Sequence, residues 1–344
     1  MLNRVHQKYL NYKRARPRGA AIRVWVFPLT FWLLTGAGFG GSRGCAGGPD
    51  AGTTDSASGS SVVVTPEETA NNSGTTAGGS TTGGGSPPAF VTQGLAFHVD
   101  AEKANQSSGY ESGNCSSAWW DLVNSNYSGG LLSFSGCSAG VNGWDGNGTA
   151  ENPNRLTFNG GNNALSFADH AAIKITGAIT VSVWLKWTTM TTFSPIVGKG
   201  RDGDGGKFFS NCDTYTYALA ANNNWMSLGI GNGTSCSFVS ASTADLVNGK
   251  WHHVVANWDG TTAVNGLKMY YDGVLKGQGQ STISSIIARA SVLAIGKDIS
   301  RGAGFSFNGS IADIAIHNRA LTEAEVKQNC AAQVGRFGGA SCAP

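Results

Sequence analysis

Charge is scarce in this chain: Asp, Glu, Lys and Arg make up 13% of its 344 residues, about half the share of an ordinary soluble protein. No Cys-x-x-Cys pair is present, which argues against a zinc site. No apolar run reaches the roughly 20 residues that a membrane-spanning helix needs. A sustained 3.6-residue apolar period is almost absent, so a helical bundle is excluded. Glutamate is thin as well: from residue 90 onward it occurs only at Glu102, Glu111, Glu151, Glu323 and Glu325. Without a Glu-x-Asp-x-x-Glu pattern, the strand-borne carboxylate pair of a sheet-type glycoside hydrolase is missing.

Glycine, by contrast, is abundant at 50 residues, which suits turns and polar loops. The net charge of +3 is unevenly placed: eight Lys and Arg and no acids precede Ala46, leaving 16 basic against 21 acidic residues, a net of −5. That balance argues against a nucleic-acid partner. The basic residues Arg4 to Arg23 precede an apolar run from Val24 to Phe39 that Pro28 interrupts, and small residues follow. Residues 1–45 read as an export signal. Cys45, followed by Ala46 and Gly47, resembles the lipidated cysteine of bacterial lipoproteins. Such proteins usually place Leu three residues before the cysteine and small residues between; here Ser42 and Arg43 stand instead. Residues 46–89 have no Lys, Arg or aromatic residue, bury too little apolar surface to offset ordering, and read as a Gly/Ser/Thr linker.

From residue 90 to 344 the pattern changes to short alternating runs. Gly94–Asp100, Arg155–Asn159, Ala164–Phe167, Ile179–Trp187, Pro195–Lys199, Thr214–Ala220, Trp225–Ile230, Trp251–Asp259, Leu267–Asp272, Val292–Gly296 and Ser310–His317 are predicted strands. Asp-Gly pairs at 259/260 and 272/273 supply residues that tolerate positive φ in tight turns. In Ile179–Trp187, odd positions form a core face, while Trp184 breaks the polar face and predicts cover on both sides of the sheet. Thr322-Glu-Ala-Glu325 has the form of a capping box, predicting a helix to about Asn329. All-β architecture with two packed antiparallel sheets and one short C-terminal helix follows.

The succession Gly-Leu-Ala-Phe-His-Val-Asp-Ala (94–101), Trp-Trp-Asp-Leu (119–122), Ile-Thr-Val-Ser-Val-Trp-Leu-Lys (179–186), Trp-His-His-Val-Val (251–255), Tyr-Tyr-Asp-Gly-Val (270–274) and Phe-Asn-Gly-Ser-Ile-Ala-Asp-Ile-Ala-Ile-His-Asn-Arg-Ala-Leu-Thr (307–322) resembles the laminin-G-like, concanavalin A-like jelly-roll domains of bacterial surface proteins. The resemblance spans about residues 94–332. It implies a jelly-roll sandwich that binds glycans or extracellular proteins and in some members carries calcium. It also implies that His253 is a packed core residue; adjacent strand positions point apart, so His252 and His253 cannot share a ligand.

Candidate sites are few. Trp144, Tyr215, Tyr217 and Trp225 are the aromatics placed to stack on a sugar, set among asparagines. Asp202 and Asp204 in Arg-Asp-Gly-Asp-Gly-Gly are the clustered oxygens for a calcium ion, and Asp100 and Asp313 are further acidic positions, with Arg319 as an alternative partner of Asp313. Six cysteines remain after Cys45 and permit fifteen pairings. Sequence-neighbour pairs, Cys115–Cys137, Cys212–Cys236 and Cys330–Cys342, each bracket a local unit. The function these features predict is an exported, surface-displayed, non-catalytic binding module for glycan or extracellular protein. A structural or adhesive envelope protein is the alternative, and a glycoside hydrolase-type enzyme stands behind both. The expected location is extracellular or at the cell surface, an outer-membrane lipoprotein if Cys45 is acylated.

Overall fold

The computed structural model describes residues 86–103, 115, 118–134, 136–187, 189–190, 193–200, 212, 215–222, 224–299 and 305–344. The export segment, Cys45, most of the linker, and Asp202 and Asp204 lie outside the described residues.

Two antiparallel sheets face each other. Sheet 1 runs in the order β14 (Val274–Gly279), β13 (Leu267–Tyr271), β12 (Trp251–Trp258), β7 (Ile179–Lys186), β16 (Asn308–His317), β5 (Arg155–Asn159), β4 (Gly143–Asp145). β1 (Leu95–Asp100) joins it on the same edge of β16 as β5, β5 taking Asn308 to Ile311 and β1 taking Asp313 to His317. Sheet 2 runs β11 (Cys236–Ser242), β10 (Trp225–Gly231), β9 (Tyr215–Asn222), β8 (Phe193–Gly200), β15 (Leu293–Ile295), β6 (Ala164–Phe167), β3 (Ser128–Leu132), β2 (Trp119–Trp120). Period-2 alternation sends Leu156, Val181, Val183, Leu185, Val254 and Ile314 of sheet 1 against Leu165, Ile196, Leu219, Leu228, Val239 and Ile295 of sheet 2 in one buried core.

The stretch Lys250–Gly277 forms strands β12, β13 and the start of β14, with β12 and β13 paired in register Val254↔Tyr271 to Trp258↔Leu267. The two-residue loop Asp272-Gly273 has φ of 52° and 82°, the paired positive values of the turn that matches strand twist. β14 then runs against the edge of β11 in the other sheet. A Cβ on Gly277 would stand 2.6 Å from the Ser240 carbonyl oxygen, so only glycine allows this approach. Thr282 N donates to Ser237 Oγ at 2.7 Å and Tyr271 Oη to Ala241 O at 3.3 Å, tying the two edges together.

Strict alternation fails at one place in β16. The register slips between Ile311 and Asp313, and the bulge lets Ile311 and Ile314 both enter the core while Ala312 and Asp313 meet partners on the other face.

Helix α1 (Glu323–Gln333) is capped as predicted, with Glu325 N donating to Thr322 Oγ1 and Thr322 N donating to Glu325 Oε2. It runs one turn beyond the predicted end because Cys330 and Gln333 are anchored below it. Disulfides join Cys115 to Cys137, Cys212 to Cys236 and Cys330 to Cys342, the sequence-neighbour pairing, with Cα separations of 5.7, 5.0 and 5.9 Å. Such bridges fit an oxidising, extracellular setting. No helix among the described residues is long and apolar enough to cross a membrane.

Candidate functional site

The outer face of sheet 1 is roofed by α1 and the chain that follows it. Trp184 stacks on Phe337 at 4.3 Å and on His253 at 5.1 Å, and its Nε1 donates to Gln333 Oε1 at 2.8 Å. The anomaly of a tryptophan on a polar face is thereby explained. His253 is buried, and among the described residues neither ring nitrogen has a hydrogen-bond partner; burial pushes it down to about 4. It is core, as the resemblance implied. His252 sits apart, its Nδ1 2.7 Å from Asp272 Oδ2.

Beneath the roof lies a charged network. His98 Nε2 meets Asp313 Oδ2 at 2.8 Å, and Gln333 Nε2 donates to the same oxygen at 2.9 Å. Arg336 grips Asp100 with two nitrogens, at 2.6 and 3.1 Å, and reaches Glu102 at 2.9 Å. Burial alone would lower His98, but Asp313, Asp100 and Asp121 outweigh it and the net shift is upward. For Asp313, burial would raise the carboxyl, but the charge and hydrogen bond of His98 hold it below its ordinary value. The suggested pairing of Asp313 with Arg319 does not occur: Arg319 takes Glu325 instead, at 2.6 and 2.9 Å. Asp100 and Asp313 thus hold the tail through Arg336 and Gln333. No cluster of three metal-ligating side chains occurs among the described residues.

Two of the aromatics expected to meet a ligand are buried. Trp144 is 1% exposed and packs edge-on against Trp119 at 5.2 Å, because its Gly-Trp-Asp segment is strand β4 and not a loop. Tyr217 is fully buried, its hydroxyl donating to Ile173 O at 2.9 Å. The side chain of Tyr215 lies outside the described residues.

Trp225 alone of the four is seen at the surface, 54% exposed. β9 and β10 turn through Asn224, whose φ is 70°, and the register places Trp225 between Asn222 and Ser242. On the same outer face of β10 and β11, Ser227 and Ser240 share a hydrogen bond of 2.7 Å, and Phe238 is 43% exposed opposite Gly229. Beside Trp225 opens a cleft of about 420 Å³ lined by Met190, Asn224, Ser242, Thr243, Ala244 and Val247, within the size range of small-ligand sites. The sequence reading misses Phe238 and the serine pair, because β11 is not among the predicted strands. Its serines and alanine make it only weakly apolar; the signal that could have found it is the period-2 placement of Phe238, Ser240 and Ser242 on one face, with Val239 and Ala241 on the other.

A family model described as the concanavalin A-like lectin/glucanases superfamily, Laminin_G_3, matches residues 159–327. No curated protein matches the chain. Among solved structures, the chain is similar to Trypanosoma rangeli sialidase in complex with 2,3-difluorosialic acid, at 20% identity over 75% of this chain and 36% of that one, with a TM-score of 0.49. Domain 4 of AbnA, an extracellular arabinanase of Geobacillus stearothermophilus, in complex with arabinotriose, is similar at 17% identity over 70% and 98% of the two chains, TM-score 0.44. The binding domain of botulinum neurotoxin DC in complex with SialylT is similar at 12% identity over 68% and 50%, TM-score 0.45. This chain spans about a third of the length of the sialidase chains it matches. Residues 159–327 match the laminin-G-like model of the concanavalin A-like lectin/glucanases superfamily, and the two-sheet sandwich that contains them is consistent with its jelly-roll.

Proposed function

We propose that this domain is an exported, non-catalytic saccharide-binding module that stacks a sugar ring on Trp225. The observation that carries the reading is the exposed Trp225, whose chain neighbour Asn224 and cross-strand partner Ser242 line an open cleft. An aromatic ring offers a flat apolar face, and Asn224, Ser242 and Thr243 offer the few polar groups that orient a hydroxyl-rich ligand. Saccharides are also the shared ligand class in the description of the superfamily.

The residues lining the cleft include no carboxylate, whereas glycosidic cleavage uses a pair of them; this supports binding without catalysis. A glycan array probed with the full chain and with Trp225→Ala tests the proposal. The expected result is binding by the wild type and a loss of tenfold or more in the variant, the scale of a tryptophan hot spot (about 2 kcal/mol). Undiminished binding by the variant would sink the site, and an array silent for the wild type would favour the structural or adhesive alternative.

Two features outside the described residues complete the proposal. Asp202 and Asp204 are assigned to calcium, testable by a rise in thermal midpoint with saturating calcium. Cys45 is assigned to lipidation, testable by metabolic labelling with a palmitate analogue that Cys45→Ser abolishes.

A further inference from the structure

The roof over sheet 1 does not extend across the whole sheet. Towards β4 a groove of about 410 Å³ lies open over β4, β5, β16 and β7. Thr157 and Ser310, paired across β5 and β16, line it with their hydroxyls 3.1 Å apart. Each hydroxyl has one donor and two acceptor positions, so this single bond leaves capacity for a ligand. Asn159 and Asn308, also paired in register, add two amides.

Two cations line the same groove, and they differ. Arg155 is committed: it donates to Asp145 at 2.6 Å, to Asn152 Oδ1 at 2.6 Å and to Pro153 O at 2.9 Å. Asp145 in turn accepts from Gly140 N and Gly146 N, so both members of this pair are already engaged. Lys186, at the end of β7 between Ser310 and Trp251, has no ion pair or hydrogen bond from its ammonium among the described residues. No exposed aromatic ring lines the groove; Phe158 is 1% exposed.

We propose that this groove is a second saccharide site, on the opposite face of the sandwich from Trp225, and that it takes an anionic sugar whose acid group meets Lys186. An ammonium without a carboxylate partner favours an anion, and the paired hydroxyls and amides suit sugar hydroxyls. Stacking, the chief contact at Trp225, plays no part here.

The test is calorimetric titration of the full chain with three oligosaccharides: an oligogalacturonate, which carries carboxylates, a heparin fragment, which carries sulfates, and a neutral cello-oligosaccharide. Binding of either acidic probe, weakening with added salt, is expected. Lys186→Gln should weaken it at least tenfold with the thermal midpoint unchanged, Lys186→Arg should restore it, and Trp225→Ala should leave it intact. Whichever acidic probe binds identifies carboxylate or sulfate as the anion. Silence towards both acidic probes, or unaltered affinity in Lys186→Gln, overturns the proposal. Loss in Trp225→Ala would also overturn it by assigning the binding to the first cleft, and neutral-sugar binding lost in Trp225→Ala but kept in Lys186→Gln concerns only that first cleft.

Discussion

The outer faces of the two sheets use tryptophan in opposite ways. On sheet 1, Trp184 lies between His253 and Phe337 beneath the tail, with its indole nitrogen bonded to Gln333. On sheet 2, Trp225 stands over β10 and β11 with 54% of its surface exposed. Both occupy outward positions of strands with similar alternation. What separates them is the element that follows β16: a helix and tail cover one face, and among the described residues the outer face of β10 and β11 around the other ring carries Phe238, serines and glycine. An outward tryptophan thus signals either a second core or an open surface, and the covering element decides which.

Removing each ring in turn should separate the two faces most widely. Trp184→Ala should cost about 3–5 kcal/mol, as for other buried aromatics, whereas Trp225→Ala should move stability by no more than about 0.5 kcal/mol. Urea unfolding of both variants measures the contrast, and equal losses would erase the distinction between the faces.

Next in size is a pH effect confined to the roofed face. The unfolded chain protonates His253 near its ordinary value of about 6.5, but the folded protein resists until about 4. Between these values the unfolded state binds the extra proton, so this contribution is complete above 6.5 and is lost as the pH falls, by about 3 kcal/mol in all. His253→Leu should flatten that acid limb in urea midpoints taken from pH 7 to 4. His98 acts with the opposite sign: its raised value adds stability below 6.5 that fades as the pH rises through the folded value. His98→Gln should therefore flatten the decline in stability as the pH rises above 6.5, read from urea midpoints taken upward from that pH, and leave the acid limb unchanged.

A comparable loss is expected from opening the clasp on the roof. The Cys330–Cys342 bridge spans 12 residues, and restricting the unfolded chain over that length is worth about 3 kcal/mol. The double variant Cys330→Ser/Cys342→Ser should lose about that much and become cleavable by trypsin at Arg336, which the oxidised protein shields with Asp100 and Glu102. The sugar binding proposed for Trp225 should be unaffected. The smallest effect should come from Phe238→Ser, on the open face, with stability changed by no more than about 0.5 kcal/mol.

Alternation and turn residues made most strands, the capping box and the disulfide pairing legible, because each depends on neighbours in the sequence. Trp184 even announced its cover by breaking the polar face. Trp144 misled because glycines flank it and Asp145, which suggests a loop, whereas packing against Trp119 makes it core. The bulge in β16 left a trace in the three-residue step from Ile311 to Ile314, too slight to place Asp313 under the tail. Lys186 gave no signal at all: its surroundings are Arg155, Thr157, Asn308 and Ser310, which only the strand order brings together.

The meeting of β11 and β14 has a consequence for crowded conditions. A strand edge with unpaired amides is a template on which another chain can add, yet here each long edge is shielded by the other sheet, at an approach that Gly277 makes possible. The opposite edges are β4, of three residues, and β2, of two. The free side of β1 is occupied by Leu122 N on His98 O and Asn124 on Ala96 O. Many copies held close together would therefore have, among the described residues, little exposed ladder along which to polymerise.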